Sequence, residues 1–142
     1  MFDELQKYKL ADHFFFQSSD MLKDVCNAPT DKSGVYIIYE LKKGRIELVY
    51  IGSTGKKEKD GSISTNGAGL GGLKEMIVNG QQSRKTPRQI SWANKMIREG
   101  TDALDIYWYV THDSEISDCP KIIEKIVLKR YVEIYGEPPR WN

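Results

Sequence analysis

The stretch from Gly34 to Ser53, GVYIIYELKKGRIELVYIGS, decides the fold. Two runs within it, Val35 to Leu41 and Ile46 to Ser53, are rich in β-branched and aromatic residues, a composition typical of β-strands. Lys43-Gly44 between the runs supplies turn chemistry. The stretch therefore predicts a β-hairpin.

Each predicted strand carries a short motif that combines a glycine with a tyrosine. The first strand opens with Gly34-Val35-Tyr36 and the second contains Tyr50-Ile51-Gly52, so both tyrosines are expected on one small sheet. This pairing resembles the signature of the GIY-YIG nuclease superfamily, with valine replacing the isoleucine of the first triplet. The resemblance extends over roughly residues 33–142 and leaves the first thirty or so residues outside it.

The composition is that of one ordinary globular domain. A chain of 142 residues with 39% hydrophobic and 29% charged residues is long enough to bury a sizeable core. No apolar run approaches the roughly 20 residues that span a bilayer, and the N-terminus does not read as a secretory signal. Cys26 and Cys119 form no paired motif, so we expect two reduced thiols and a cytoplasmic location.

The charges are segregated along the chain, although the formal net charge is only +1. Residues 77–98 contain five basic side chains and no acid, whereas residues 99–118 contain six acids and no lysine or arginine. A basic face beside an acidic face suits phosphate on one side and a cation on the other. The alternative is two solvated surfaces without a ligand.

The N-terminal segment is expected to be a helical arm. Phe2 to Phe16 has a weak helical period, and Ser18 or Ser19 is placed to cap a short helix that Pro29 ends. We therefore assign residues 1–30 to this arm and residues 31–142 to the main domain.

The remainder of the main domain alternates helices with one strong strand. The predicted elements are an exposed loop or small extra hairpin around Asp60-Gly61, a helix from Leu70 to Asn79, a helix from Pro87 to Gly100, a central strand from Ala103 to Thr111, and a long helix capped by Ser117 or Asp118 and ended by Gly136. A tight turn between the first two strands excludes a parallel pair. The fold class is α/β in the broad sense (α+β), a three-stranded antiparallel sheet flanked by helices.

The resemblance implies a set of catalytic residues. Tyr36 would act as general base or would position the attacking water, and Tyr50 would hold the phosphate or the water. Glu124 would be the single ligand of a Mg²⁺ or Mn²⁺ ion, and Asn142 matches an asparagine near the end of the module, which we assign with the DNA-binding residues. The alternative for the two tyrosines is that they only pack against their neighbours in the sheet. The alternative for Glu124 is a surface glutamate paired with a nearby lysine.

The chain departs from the family where the first helix should carry an arginine. Met76 occupies that position, and a thioether cannot replace a guanidinium. Losing such a donor typically costs about 10²- to 10³-fold in rate, so Met76→Arg is expected to raise cleavage. Arg84 or Arg88 is the alternative cation. Together with Lys85, these arginines are otherwise expected to line the approach of the DNA.

The sequence predicts a metal-dependent endonuclease that hydrolyses DNA and belongs to the restriction type or to the phage or mobile-element type. A homodimer is one assembly that such an enzyme could form. The alternative is a nucleic-acid-binding module that retains the nuclease fold with weak or no catalysis. For the enzyme, we expect the hydroxyls of Tyr36 and Tyr50 and the carboxylate of Glu124 to converge on one open cleft.

Overall fold

The computed structural model describes residues 2–64, 72–80 and 86–142, with the backbone alone at positions 56, 57 and 64. After a 3₁₀ turn at Asp3–Leu5, the elements in chain order are β1 (Ala11–Phe16), α1 (Leu22–Val25), β2 (Ser33–Lys42), β3 (Arg45–Thr54), β4 (Lys56–Lys57), β5 (Ile63–Ser64), α2 (Leu73–Asn79), α3 (Arg88–Glu99), β6 (Ala103–His112) and α4 (Pro120–Tyr135).

The main sheet is antiparallel and has the strand order β1-β6-β2-β3. The predicted hairpin is confirmed as β2 and β3, in which Lys42 pairs with Arg45. Lys43 and Gly44 between them both have positive φ, 50° and 77°, as a two-residue hairpin turn that follows the twist of the strands requires. β6 lies inside the sheet, as predicted.

The sheet has four strands and not three, because the chain enters it before the hairpin. β1 pairs with β6 over its whole length, so the expected helix from Phe2 to Phe16 is wrong. The burial of β1 follows a period of two: Phe14 and Phe16 are buried, while Phe15 between them is 52% exposed. Residues of the expected helical arm thus share a sheet with the main domain.

Helices pack on both faces of the sheet. One face carries the core that α1, α2 and α3 cover, to which β2 contributes Tyr36 and Ile38. The other face carries the core that α4 covers, to which β2 contributes Val35 and Ile37. Because successive side chains of a strand point to opposite faces, the two tyrosine motifs and α4 belong to different layers.

The predicted helices are present, with changes at their ends. α2 ends before Gly80 and α3 before Gly100, both at positive φ, as expected. The described part of α2 begins at Leu73, and the predicted start at Leu70 lies outside the described residues. The small extra hairpin around Asp60-Gly61 is confirmed as β4 and β5.

The expected cap of α4 is wrong. Pro120 is the first helical residue, and Cys119 occupies the capping position without a side-chain hydrogen bond. Asp118 instead accepts a hydrogen bond from the Tyr8 hydroxyl at 2.6 Å and pairs with Lys7 at 2.9 Å. Its carboxylate therefore fixes the N-terminal segment against the domain.

Both cysteines are free thiols, Cys26 buried and Cys119 partly buried. Within the described ranges, no helix combines the length and the apolar character that crossing a bilayer requires.

The period of two in β1 predicts unequal costs for neighbouring alanine substitutions. Phe16 is fully buried, so Phe16→Ala should lower the free energy of unfolding by about 3–5 kcal/mol, the usual cost of a large cavity. Phe15→Ala should change it by roughly 0.5 kcal/mol or less. Urea denaturation of both variants measures the difference, and equal losses would contradict the strand.

Candidate functional site

The two motif tyrosines lie side by side on the face that α2 and α3 cover. Tyr36 pairs with Gly52, and Tyr50 pairs with Ile38, so both tyrosines leave the hairpin on the same side. Their ring centroids are 5.8 Å apart. The ring of Tyr36 crosses over Gly52, where a Cβ atom would lie 2.6 Å from its Cζ atom. Gly52 of the second motif thus leaves the space that the ring of Tyr36 from the first motif occupies.

Arg88 joins the two tyrosines. It is the first residue of α3, and only 2% of it is exposed. Its Nη1 donates to the Tyr36 hydroxyl at 2.9 Å and to the carbonyl oxygen of Met76 at 2.7 Å, and its Nη2 lies 3.5 Å from the Tyr50 hydroxyl. The first turn of α3, the end of α2 and the hairpin therefore meet at one guanidinium.

The charge of Arg88 is buried without a carboxylate partner among the described residues. It is offset by carbonyl oxygens at the C-terminal end of α2, where a helix carries partial negative charge, and by aromatic faces. The guanidinium carbon lies 4.9 Å from the Trp92 ring centroid and 5.5 Å from those of Tyr36 and Tyr50. Its Nε has no hydrogen-bond partner in the part of the chain that the structure describes. A buried charge held only by dipoles is suited to bind an anion.

Tyr36 is a neutral phenol in this environment. Its burial raises the pKa of its hydroxyl well above the ordinary value, and the opposing effect of the Arg88 guanidinium is smaller. The neighbouring Tyr50 raises the pKa of Tyr36 further. At neutral pH the Tyr36 hydroxyl thus accepts a hydrogen bond from Arg88 and keeps its own hydrogen to donate.

Glu124 approaches β3 from the other layer. Its carboxylate accepts a hydrogen bond from the Ser53 hydroxyl at 2.9 Å and lies 3.7 Å from the Lys121 ammonium. Ser53 directly follows Gly52, so the carboxylate and Tyr36 are next to the same short segment of an edge strand on its two faces. The predicted convergence on one open cleft is wrong, because alternation along β3 separates the groups and Tyr36 is only 1% exposed. This placement of Glu124 argues against the nuclease that the sequence predicts.

Glu124 offers a hard cation a single carboxylate ligand, whose two oxygens already contact the Ser53 hydroxyl and the Lys121 ammonium. Its side chain is 14% exposed and presents carboxylate oxygens beside the Ser53 hydroxyl. Mg²⁺ commonly takes one or two carboxylates and keeps several waters. Three acidic, histidine or cysteine side chains do not cluster anywhere in the described ranges, so a site with several such ligands is not formed there.

Met76 does not occupy the place of a phosphate-binding side chain. Its side chain is buried in the core of the α2 and α3 layer, and it serves Arg88 through its backbone carbonyl. Arg88, in turn, does not line an exposed approach for DNA, because it is buried under α3. The other two predicted DNA-binding cations, Arg84 and Lys85, lie outside the described residues.

Asn142 is bound to the protein rather than directed at a ligand. Its side-chain amide donates to the carbonyl oxygen of Ile51 at 2.9 Å and accepts from the Ile51 N–H at 3.0 Å. The N–H of Trp141 donates to Val49 at 2.8 Å. The C-terminal residues thus pair with the outer edge of β3 at Val49 and Ile51, on either side of the motif residue Tyr50.

Sequence reasoning gave Arg88 two alternatives, a substitute for the family arginine or a residue on the DNA approach, although a signal for its burial is present. The buried residues of α3 are Arg88, Trp92 and Met96, which are spaced four apart on one helical stripe. An arginine on the apolar stripe of an amphipathic helix marks a charge that the fold takes inside. Ser53 as the partner of Glu124 had no comparable signal, since its contact depends on how α4 crosses β3.

No protein-family model matches the chain, and neither a curated protein nor a solved structure matches it.

The buried tyrosines predict a loss of stability at high pH. Tyrosines of the unfolded chain lose their protons near pH 10, whereas burial raises the pKa of Tyr39 to about 12 and also that of Tyr36. Above pH 10 the folded protein therefore binds more protons than the unfolded chain, so the free energy of unfolding falls as pH rises toward 12. Urea denaturation between pH 8 and pH 11 measures this slope.

Tyr36→Phe should make that decrease with pH shallower, because it removes one of the titrating groups. Tyr135→Phe, at an exposed position, is the matched control. Equal slopes for the two variants would contradict the assignment of Tyr36 as a titrating buried phenol.

Proposed function

We propose that this protein is a metal-dependent endonuclease that hydrolyses phosphodiester bonds of DNA, similar to the GIY-YIG nucleases and of restriction or phage type. The observation that carries the proposal is the Arg88 guanidinium, buried without a carboxylate partner among the described residues and held between the hydroxyls of the two motif tyrosines. The guanidinium and the two hydroxyls can hold an anion in one position and polarise it.

Arg88 supplies the cation that the family resemblance asks of the first helix after the hairpin. Its guanidinium lies against the backbone of Met76, the position where the arginine was expected, although it comes from the following helix. A guanidinium stabilises a developing oxyanion through its position and its N–H donors. Which helix carries the arginine does not matter for this effect. The substitution at Met76 is thereby compensated.

The substrate phosphate is proposed to approach from the side of Tyr50. Tyr50 is half-buried, whereas Tyr36 is nearly inaccessible, and the contact of 3.5 Å between Arg88 and the Tyr50 hydroxyl is the weakest hydrogen bond in the group. A phosphate oxygen that replaces this contact gives the guanidinium its missing counter-charge. Tyr50 then hydrogen-bonds another oxygen of the same group.

Tyr36 is proposed to orient the attacking water instead of taking its proton. A phenol whose pKa is raised is a poor base at neutral pH but a good hydrogen-bond donor. Glu124, with Ser53 beside it, would hold Mg²⁺ or Mn²⁺. When bound, such an ion would supply charge neutralisation only to a phosphate that reaches the face of the hairpin opposite Arg88.

A specific observation favours the alternative of a binding module without efficient catalysis. Tyr36 and Glu124 lie on opposite faces of the hairpin that β2 and β3 form, and both Tyr36 and Arg88 are almost fully buried. In this arrangement a phosphate is recognised at Arg88 while the carboxylate stays engaged with Ser53. The two proposals therefore differ in whether Glu124 takes part.

Arg88→Lys should lower the rate of plasmid nicking by roughly 10²- to 10³-fold in Mg²⁺ or Mn²⁺, because an ammonium group cannot contact both tyrosine hydroxyls and the α2 carbonyls at once. Arg130→Lys, at an exposed position of α4, is the matched control and should nick at the wild-type rate. Near-ultraviolet circular dichroism verifies that both variants are folded. Wild-type nicking by Arg88→Lys would remove the guanidinium from the mechanism.

Glu124→Ala decides between the two proposed functions in the same assay. Nicking that is lost in this variant supports the nuclease. A wild-type chain that binds DNA without nicking it in either metal, and an Arg88→Lys variant that no longer binds, would instead support the binding module. Equal binding of a single-stranded RNA of the same length would widen the substrate to both nucleic acids.

Substitutions at Met76 test whether Arg88 has taken over the role of the family arginine. Met76→Leu nearly conserves volume and leaves the carbonyl in place, so nicking should stay within about threefold of wild type. Met76→Arg should not raise the rate, and it should destabilise the fold because it buries a second positive charge near the first. An increase of two orders of magnitude in nicking by Met76→Arg would restore the expectation from the sequence.

A further inference from the structure

A groove of about 740 Å³ lies at the far end of the hairpin from the Tyr36 motif. The hairpin turn, the end of α3 and Arg140 form it. Its cationic side chains other than Arg140 are Lys42, Lys43, Arg45 and Arg98. Five cationic residues against three acidic ones give the lining a net charge of +2.

The three acidic residues of the groove are already bound to one cation. Arg140 donates to Glu40 at 3.0 Å, to Glu47 at 3.1 Å and to Glu99. Glu40 is also buried and accepts a hydrogen bond from Thr101. All three acids of the groove are thus engaged by Arg140.

The remaining cations of the groove have no ion-pair partner among the described residues. Lys42 and Lys43 come from the end of β2 and the turn, Arg45 opens β3, and Arg98 lies in the last turn of α3. Arg45 and Arg98 are exposed. Positive side chains from three elements that surround one groove form a surface for a polyanion.

The distance between the groove and the Arg88 site can be compared with the spacing of phosphates along DNA. Arg98 follows Arg88 by ten residues on the same helix, which corresponds to about 15 Å along its axis. One strand of B-DNA places a phosphate about every 3.4 Å along the duplex axis. A duplex that lies along α3 therefore presents to the groove a phosphate about four base pairs from the one at Arg88.

We propose that this groove binds the sugar-phosphate backbone of the substrate about four base pairs from the scissile bond. The proposal rests on the proposed function, because it takes the Arg88 site as the point where the backbone is cut. The groove contacts phosphates only, so it sets the course of the duplex over the protein and reads no bases.

The test is the salt dependence of binding to a fluorescein-labelled duplex of 24 base pairs, measured by anisotropy. The triple variant Lys42→Gln, Arg45→Gln and Arg98→Gln is compared with a control of equal charge change. The control is the triple variant Lys23→Gln, Lys125→Gln and Lys129→Gln, at exposed positions of α1 and α4.

The groove variant should bind roughly tenfold or more weakly than the control, and the slope of log K against log salt should fall by about one unit for each lost phosphate contact. Equal slopes and affinities in the two variants would overturn the groove and leave the nuclease proposal standing. A chain that binds through the groove but never nicks DNA would keep the groove and refute the nuclease. A wild-type chain that binds polyglutamate but not the duplex would overturn both.

Discussion

The burial of one guanidinium constrains the whole molecule. Arg88 is taken out of water without a carboxylate partner among the described residues, a placement that costs several kcal/mol unless many weaker groups surround the charge. The surrounding groups come from three parts of the fold: the hydroxyl of Tyr36, carbonyl oxygens at the end of α2 and the ring of Trp92. The hairpin, α2 and α3 must all be docked before the charge is satisfied, so the site and the fold form together.

Gly52 and the C-terminal residues set the geometry of the hairpin at this site. Gly52 leaves space for the ring of Tyr36, which a side chain at that position would displace. On the outer edge of the same strand, the amide of Asn142 replaces a neighbouring strand by bonding both backbone groups of Ile51. The edge strand β3 thus contacts the ring of Tyr36 on one face and Asn142 along its outer edge.

Much of the fold was predictable because its signals are local. A few adjacent residues are enough to predict the turn at Lys43-Gly44, the central strand β6 and the glycines that end α2, α3 and α4. β1 was missed because three consecutive phenylalanines fit a helix and a strand equally well. Only the pairing with β6, which is remote in sequence, selects the strand.

The candidate site was predictable only in part, for a different reason. The placement of Tyr36 and Tyr50 side by side on one face follows from strand register, which the hairpin fixes. The burial of Arg88 depends on where α3 docks, so the sequence left open whether Arg88 replaces the family arginine or lines the surface. The position of Glu124 depends on which face of the sheet α4 covers, a property that no local pattern determines. Contacts between layers were therefore the part that sequence reasoning missed.

The closed site and the proposed chemistry are linked by the same electrostatic imbalance. Among the described residues the charge of Arg88 is offset only by dipoles and rings, so the phosphate of the proposed substrate would remove a cost that the folded chain already carries. In the proposed function, binding of the anion and completion of the site would be one event, since the phosphate would take the place of the long contact to Tyr50. A guanidinium already paired with a carboxylate would gain far less from that exchange. The imbalance at Arg88 is thus what makes a buried arginine suitable for recognising a substrate.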